Sequence, residues 1–522
     1  MSSQPDPRQI QTLGALRESG WRSRTVKEEL RENLLARLST GQPWLSGIVG
    51  YEETVLPQLE NAILSQHNFI LLGLRGQAKT RIVRQLIGLL DEWMPAVMGC
   101  PLRSDPYHPV SPQAKRRIAE QGDDAPIEWI SRQERYHEKL ATPDVTIADI
   151  IGDVDPIKAA REKIDLSDEG ALHFGIIPRS NRGVFVMNEL PDLQPRIQVG
   201  LLNILEEKDV QVRGFPIRIP LDILLSFTAN PEDYTNRGNI ITPLKDRIDS
   251  QILTHYPRTV DQAIEITKAE AWTDRHVEIA VPRFVDEILE QIAFTARESD
   301  YVDQSSGVSQ RLPIRAHELL HSAVERRIIR NAGEPPVPRL ADLAAVVPAI
   351  TGRVELVYEG EQEGPQIVAH KLVGRAMLKV FERTFPKVYT SSRKKSRRET
   401  FGFEDEPRAA ESRAEVPSDY REVLSFFSQG GRVELSDDMD WKTYQATLGT
   451  VPGLGKLVDA HKDAITKGHP SLSGDNYSAV KALAMEWVLE CLHQVSLIAK
   501  QSKDGTIRFA DMLANMLGGD ED

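Results

Sequence analysis

Three short runs of consecutive apolar residues stand out in the first half of the chain: Asn68-Phe-Ile-Leu-Leu72, Gly183-Val-Phe-Val-Met187 and Asp222-Ile-Leu-Leu-Ser-Phe227. Unbroken apolar runs of this length, bounded by glycine or polar residues, predict strands buried on both faces of a parallel sheet. Before and after the first of them the apolar spacing changes to three and four, from Val55 to Leu64 and from Arg81 to Trp93, which predicts helices. Strands alternating with helices imply an α/β layered domain. From about residue 260 to 355 the strand pattern fades and helical spacing dominates, interrupted by Pro335-Pro-Val-Pro338. The stretch 391–417 opens on the basic Ser391-Ser-Arg-Lys-Lys-Ser-Arg-Arg398 and continues through Glu404-Asp-Glu406, the composition of a charged linker. Helical spacing returns in the tail, most clearly from Tyr477 to Lys500. The expected layout is a helical extension over 1–40, an α/β core over 41–258 and a helical lid over 259–355. A helix and charged linker over 356–417 and a C-terminal helical domain over 418–522 complete it.

Composition narrows the setting. With 522 residues the chain is long enough for several cores. Its 64 basic against 77 acidic side chains leave a formal charge of −13, which argues against a broad nucleic-acid or membrane-binding surface. No nucleic-acid or membrane partner is expected, and the basic cluster 393–398 reads as solvated linker. Cys100 and Cys491 lie far apart in sequence and form no metal-ligand spacing. The N-terminal residues carry no apolar h-region, and no run reaches the roughly 18 apolar residues of a membrane span. A cytoplasmic location is the expectation.

The first apolar run is followed by Gly73-Leu-Arg-Gly-Gln-Ala-Lys-Thr80. Set against GxxxxGK[ST], Gly73, Lys79 and Thr80 match, and Ala78 replaces the last glycine. Such a loop turns its backbone N–H groups inward onto phosphate oxygens, and Gly73, Leu74, Arg75, Gly76, Gln77, Ala78, Lys79 and Thr80 are the candidate nucleotide-binding residues. The glycines at 73 and 76 permit the tight path. Lys79 is expected on the β- and γ-phosphates and the Thr80 hydroxyl on Mg²⁺. A methyl at 78 is tolerated there if the backbone is right-handed. The strand before the loop and the helix after it are the context that separates a phosphate loop from a glycine-rich turn.

The second apolar run ends in Asn188-Glu189. A carboxylate at this strand end is the candidate general base that activates the attacking water. Asn188 occupies a place usually held by aspartate; its amide oxygen can meet metal-bound water without adding charge, so Thr80 and Asn188 are the candidate metal residues. The third run ends in Thr228-Ala-Asn-Pro231, where Asn230 is expected beside the γ-phosphate to help place the water. In Pro243-Leu-Lys-Asp-Arg-Ile-Asp249, Arg247 is read as an arginine offered across a subunit boundary; the alternative is a surface ion pair with Asp246 or Asp249. Ser309-Gln-Arg311 opens an amphipathic run to Ile328, and Arg311 is expected to reach the nucleotide from the lid, with Arg315 as its competitor.

Together these segments resemble the AAA+ magnesium chelatase I subunit and the related MoxR ATPases, from about Ile48 to Arg330. Ile48-Val-Gly50 resembles the segment near the adenine, and Gly99-Cys-Pro-Leu-Arg-Ser-Asp-Pro106 a chelatase stretch ending in Ser-Asp-Pro. Ile151-Gly-Asp-Val-Asp155 and Glu169-Gly-Ala-Leu172 resemble the helix-2 insert of the clade. Arg182-Gly-Val-Phe-Val-Met-Asn-Glu189 is similar to its Walker B region and Val210-Gln-Val-Arg-Gly-Phe-Pro-Ile-Arg218 to the hairpin before sensor 1. The Ala-Lys-Thr loop ending is familiar among MoxR-type members, whereas Asn188 departs from the usual acid. The resemblance implies a P-loop core with a helical lid, ATP and Mg²⁺ as cofactors, and a hexameric or similar ring. Asn230 would be sensor 1, Arg247 the trans arginine and Arg311 sensor 2. It also implies a partner protein, often one with a von Willebrand A-type domain. Three functions are open: a motor for metal insertion into a porphyrin, a chaperone that remodels a partner, or a nucleotide-gated scaffold with little hydrolysis. An ATPase motor acting on a partner protein is the expectation.

Overall fold

A computed structural model describes residues 6–163, 171–212, 218–231, 239–331, 333–388, 417–436, 438–503 and 505–512. The chain divides into two compact units, Met1–Pro257 and Arg258–Asp522. The linker expected at 391–417, with its basic cluster, lies outside the described residues except for Pro417.

The first unit is built on five parallel strands: β1 (Phe69–Leu72), β2 (Tyr136–Leu140), β3 (Gly183–Asn188), β4 (Ile223–Ala229) and β5 (Ser250–Leu253), in the order β5-β1-β4-β3-β2. The α/β P-loop core expected from the sequence is the observed fold. The three apolar runs became the three inner strands because an inner strand is covered on both faces. Alternate residues serve opposite layers. Phe69, Leu71, Val184, Val186 and Leu224 pack with helices α1 (Val26–Thr40) and α2 (Val55–Leu64). Ile70, Leu72, Phe185, Met187, Leu225 and Phe227 face the other layer, which includes α4 (Pro195–Glu206). Burying each such side chain contributes about 1.5–3 kcal/mol. The edge strands β2 and β5 read Tyr-His-Glu-Lys-Leu and Ser-Gln-Ile-Leu; partly covered edges admit polar residues, so no apolar run marked them.

Helix α1 begins with a capping box between Thr25 and Glu28. Among the described residues, three short antiparallel strand pairs decorate the unit: Trp93–Val97 with Ile127–Ser131, Gly152–Val154 with Leu172–Phe174, and Asp209–Gln211 with Arg218–Pro220. The last two fall on the segments that resemble the helix-2 insert and the hairpin before sensor 1; residues 169–170 and 213–217 of them lie outside the described residues.

In the second unit, the stretches 259–355, 356–417 and 418–522, expected as separate parts, share one core among the described residues. The reason is aromatic packing across long sequence gaps. The Trp487 indole, on α10 (Tyr477–Gln494), stacks on Phe284 of α7 (Arg283–Ala296) with centroids 4.5 Å apart and planes at 4°. Phe381, on α9 (Pro365–Thr384), and Phe385 meet the same indole edge-on. The tail is also not wholly helical. Val433–Ser436 (β6), Ala499–Lys503 (β7) and Thr506–Ala510 (β8) form an antiparallel sheet in the order β6-β8-β7. Asp504-Gly505, a two-residue hairpin signal, is the sequence feature that marks β7–β8.

Candidate nucleotide-binding site

The site lies where the C-terminal ends of β1, β3 and β4 meet, the edge at which parallel α/β sheets place ligands. After β1 the chain runs through 73–78 and enters α3 (Lys79–Gln85). Gly73 is required by crowding: a Cβ there would lie 1.9 Å from Thr254 Oγ1 and 2.1 Å from Gln77 Oε1. The Thr254 hydroxyl donates to Gln77 Oε1 at 2.7 Å, a clamp between the end of β5 and the loop. Gly76 has φ 77°. Ala78 has φ 58° and ψ 13°, so the right-handed backbone under which its methyl would be tolerated is not what forms. A left-handed residue is needed to turn the loop into α3, and alanine there costs about 1–2 kcal/mol relative to glycine.

Two phenols brace the same loop. Tyr51 OH lies 3.0 Å from Gln77 O and 2.7 Å from His255 O, and burial pushes its pKa up to about 12, so it remains a donor. Tyr256 OH donates to Arg75 O at 2.9 Å. The sequence reading missed Tyr51, Thr254 and Tyr256; Tyr51 directly follows Ile48-Val-Gly50, and the other two come just after β5, where proximity to the loop depends on strand order.

Lys79 is buried at 7% exposure. Its three N–H donors match three oxygens: Gly73 O, Leu74 O at 3.1 Å and Asn230 Oδ1 at 2.6 Å. Asn230 Nδ2 in turn donates to Glu189 Oε2 at 3.1 Å. The amide orientation follows from its partners, since an ammonium only donates and a carboxylate accepts. The loop, the β3 end and the β4 end are thereby joined through three side chains. Thr228 ties the strand ends from below: its hydroxyl donates to Asn188 Oδ1 at 3.2 Å and accepts from Glu189 N at 3.2 Å. Glu189, like Ala78, is left-handed, with φ 54°.

Lys79, Asn188, Glu189 and Asn230 are thus brought together, and Gly73 to Thr80 form the loop around them. Thr80 sits on the first turn of α3. Arg247 does not meet this cluster through its polar contacts. It ends α5 (Thr242–Arg247), where its Nε donates to Glu206 Oε2 at 2.6 Å and its Nη1 to Pro243 O at 3.0 Å. Glu206 partners it rather than Asp246 or Asp249, because α4 and α5 pack side by side. Arg311 belongs to the second unit, exposed at the first position of α8 (Arg311–Arg330), while its competitor Arg315 holds both oxygens of Glu318 at 2.8 and 2.7 Å.

The oxygens offered by Thr80 and Asn188 suit a hard cation such as Mg²⁺, but both are neutral, so nucleotide phosphates would supply most of the ligand charge. Among the described residues no helix is long and apolar enough to cross a membrane.

No family model matches the chain. Among solved structures, the chain is similar to the complex between subunits BchI and BchD of magnesium chelatase, at 21% identity over 61% of this chain and 97% of that one, with a TM-score of 0.31. RuvB from Thermotoga maritima matches at 12% identity over 69% and 78%, with a TM-score of 0.31. NtrX from Brucella abortus matches at 13% identity over 58% of this chain, with a TM-score of 0.33, and the match spans 56% of NtrX. Likenesses of this size assign no residue and no activity.

Proposed function

We propose that this chain is an ATP-hydrolysing motor of the AAA+ type that works as a ring on a partner protein. The observation that supports it is the contact chain Lys79–Asn230–Glu189 at the head of a parallel sheet. Lys79 holds the β- and γ-phosphates against the inward amides of residues 73–78. Glu189 takes the proton of the attacking water, and Asn230, already hydrogen-bonded to it, fixes that water's direction. Thr80 and Asn188 would hold Mg²⁺, which would neutralise phosphate charge. By the resemblance, Arg247 acts in the neighbouring subunit's site, exchanging Glu206 for phosphate, and Arg311 is the nucleotide-sensing arginine of the helical unit. The magnesium chelatase I or MoxR type, a cytoplasmic location and a von Willebrand A-type partner belong to the same proposal.

Labelled-ATP titration tests it. Lys79→Ala is expected to weaken binding by roughly a hundredfold, the loss of a charge-assisted contact worth about 3 kcal/mol. Unchanged uptake in Lys79→Ala, or no uptake by the parent chain, refutes the reading. Asn188 favours one second reading, a nucleotide-gated scaffold in which binding outlasts hydrolysis. Equal steady-state ATPase in the parent chain and Glu189→Gln would select it.

A further inference from the structure

The helical unit contains a buried polar chain that ends at the start of α8. Glu290 of α7 is 1% exposed and Gln310, the residue before α8, is 4% exposed. Glu290 Oε1 accepts from the hydroxyl of Thr267, on α6 (Val260–Glu270), and Oε2 accepts from Gln310 Nε2 at 2.9 Å. The other end of the same amide, Gln310 Oε1, accepts from Arg297 Nη2 at 3.3 Å, and Arg297 also holds Val308 O at 2.9 and 3.1 Å. Ser309 Oγ accepts from the Arg311 backbone N–H at 3.1 Å. One carboxylate and one guanidinium at α7 therefore grip both ends of one amide, and the turn 308–310 is held at Val308 O and at the Gln310 side chain.

An ionised carboxylate is expensive to bury, and apolar replacement of such a group is often neutral or stabilising. Burial does push the Glu290 carboxyl up to about 7, against the hydrogen bonds from Thr267 and Gln310. What the carboxylate supplies and an apolar side chain cannot is direction: it links α6, the first helix after the chain leaves the nucleotide-binding unit at Pro257, to the residue on which Arg311 is mounted.

We propose that Glu290 is a positioning residue for ATP turnover, holding Gln310 and hence Arg311 in register with α6. The inference rests on the ATPase reading above. Glu290→Gln is the probing change, being equal in size. Two amides then face each other: if the new amide oxygen accepts from Gln310 Nε2, its NH2 meets the Thr267 hydroxyl, which must accept instead of donate, and both contacts lose the carboxylate charge. The kcat for ATP is expected to fall about tenfold, the size of one lost charge-assisted hydrogen bond, with KM changed less than about twofold. Adding Gln310→Glu to Glu290→Gln returns the acceptor to the other side of the contact, and kcat is expected to recover by at least half of the loss. Thr267→Val, which removes one arm without a new clash, is the milder variant and lowers kcat a few-fold. Parent-like kcat in Glu290→Gln, or no recovery in the exchanged pair, overturns the relay. If Glu290→Gln does not fold, parent-like kcat in Thr267→Val overturns it. Should the parent chain itself neither bind nor hydrolyse ATP, the ATPase reading fails and the relay with it; a parent chain that turns over, with variants that match it, sinks the relay alone.

Discussion

The two edges of the five-stranded sheet carry polar residues for opposite reasons. At the C-terminal edge, Lys79 donates to neutral carbonyl and amide oxygens, and Asn230 passes the contact to Glu189. At the N-terminal edge, each strand is preceded by a polar residue: Asn68, Arg135, Arg182, Asp222 and Asp249. There the charges close on themselves. Arg135, 1% exposed, meets both oxygens of Glu29 from α1 at 2.7 and 2.5 Å, and Arg182 Nη2 lies 3.2 Å from Asp105. Asp222 accepts from Val26 N at 2.9 Å and Asn68 from Leu225 N at 3.0 Å. The lower edge fastens α1 to the sheet; the upper edge joins the loop after β1 to the ends of β3 and β4. Left-handed backbone does not tell them apart, since Arg182 at φ 58° shares it with Glu189. What separates them is what the polar side chains tie together: α1 and the sheet at the lower edge, the loop and the ends of β3 and β4 at the upper one.

The comparison can be broken at several points. The largest effect is expected from Glu189→Gln, which removes the proposed base and should lower ATP turnover by about 10²–10⁴-fold while ATP binding persists; steady-state rates and titration together check it. Next is Arg135→Met at the lower edge, which strands the Glu29 carboxylate in the interior. A loss of roughly 3–5 kcal/mol in denaturant unfolding is expected, with turnover per folded molecule unchanged. A drop in turnover instead would mean that the edges are coupled.

The third change is pH-dependent. Burial raises the Asp222 pKa from 3.8 to about 6, above its value in the unfolded chain. The folded state then holds the proton more tightly, so this group's contribution is present below about pH 4 and is lost as pH rises toward 6. Asp222→Asn should remove that slope and stabilise the chain above pH 6 by roughly 1–3 kcal/mol, since an amide oxygen still accepts from Val26. Parallel stability–pH curves for variant and parent would contradict it. The smallest change is Ala78→Gly. Relief of the left-handed strain, about 1–2 kcal/mol, exceeds the entropy that glycine adds to the unfolded chain, about 0.5–1 kcal/mol. A net gain of about 0.5–1 kcal/mol is expected in thermal unfolding.

The apolar runs at 68–72, 183–187 and 222–227 made the inner strands legible. Gly73, Lys79, Glu189 and Asn230 were legible at their ends, because a parallel sheet delivers the residues after every inner strand to the same edge. Edge strands were hidden by their polarity, and so were β6 to β8, which read Val-Glu-Leu-Ser, Ala-Lys-Gln-Ser-Lys and Thr-Ile-Arg-Phe-Ala. The helical stretches after 258 gave no hint of one shared core, because no local pattern says that Phe284, Phe381 and Trp487 will meet.

By itself, then, the order of residues determined the periodicity of each segment and the residue types carried at the strand ends, since both depend on near neighbours. Only the tertiary structure decided that Thr254, Tyr256 and Tyr51 clamp the loop, that Ala78 turns left-handed, that Arg247 rests on Glu206, and that Glu290 reaches Gln310. Those outcomes depend on which elements pack together, and contacts between distant segments leave no spacing in the chain from which they can be read.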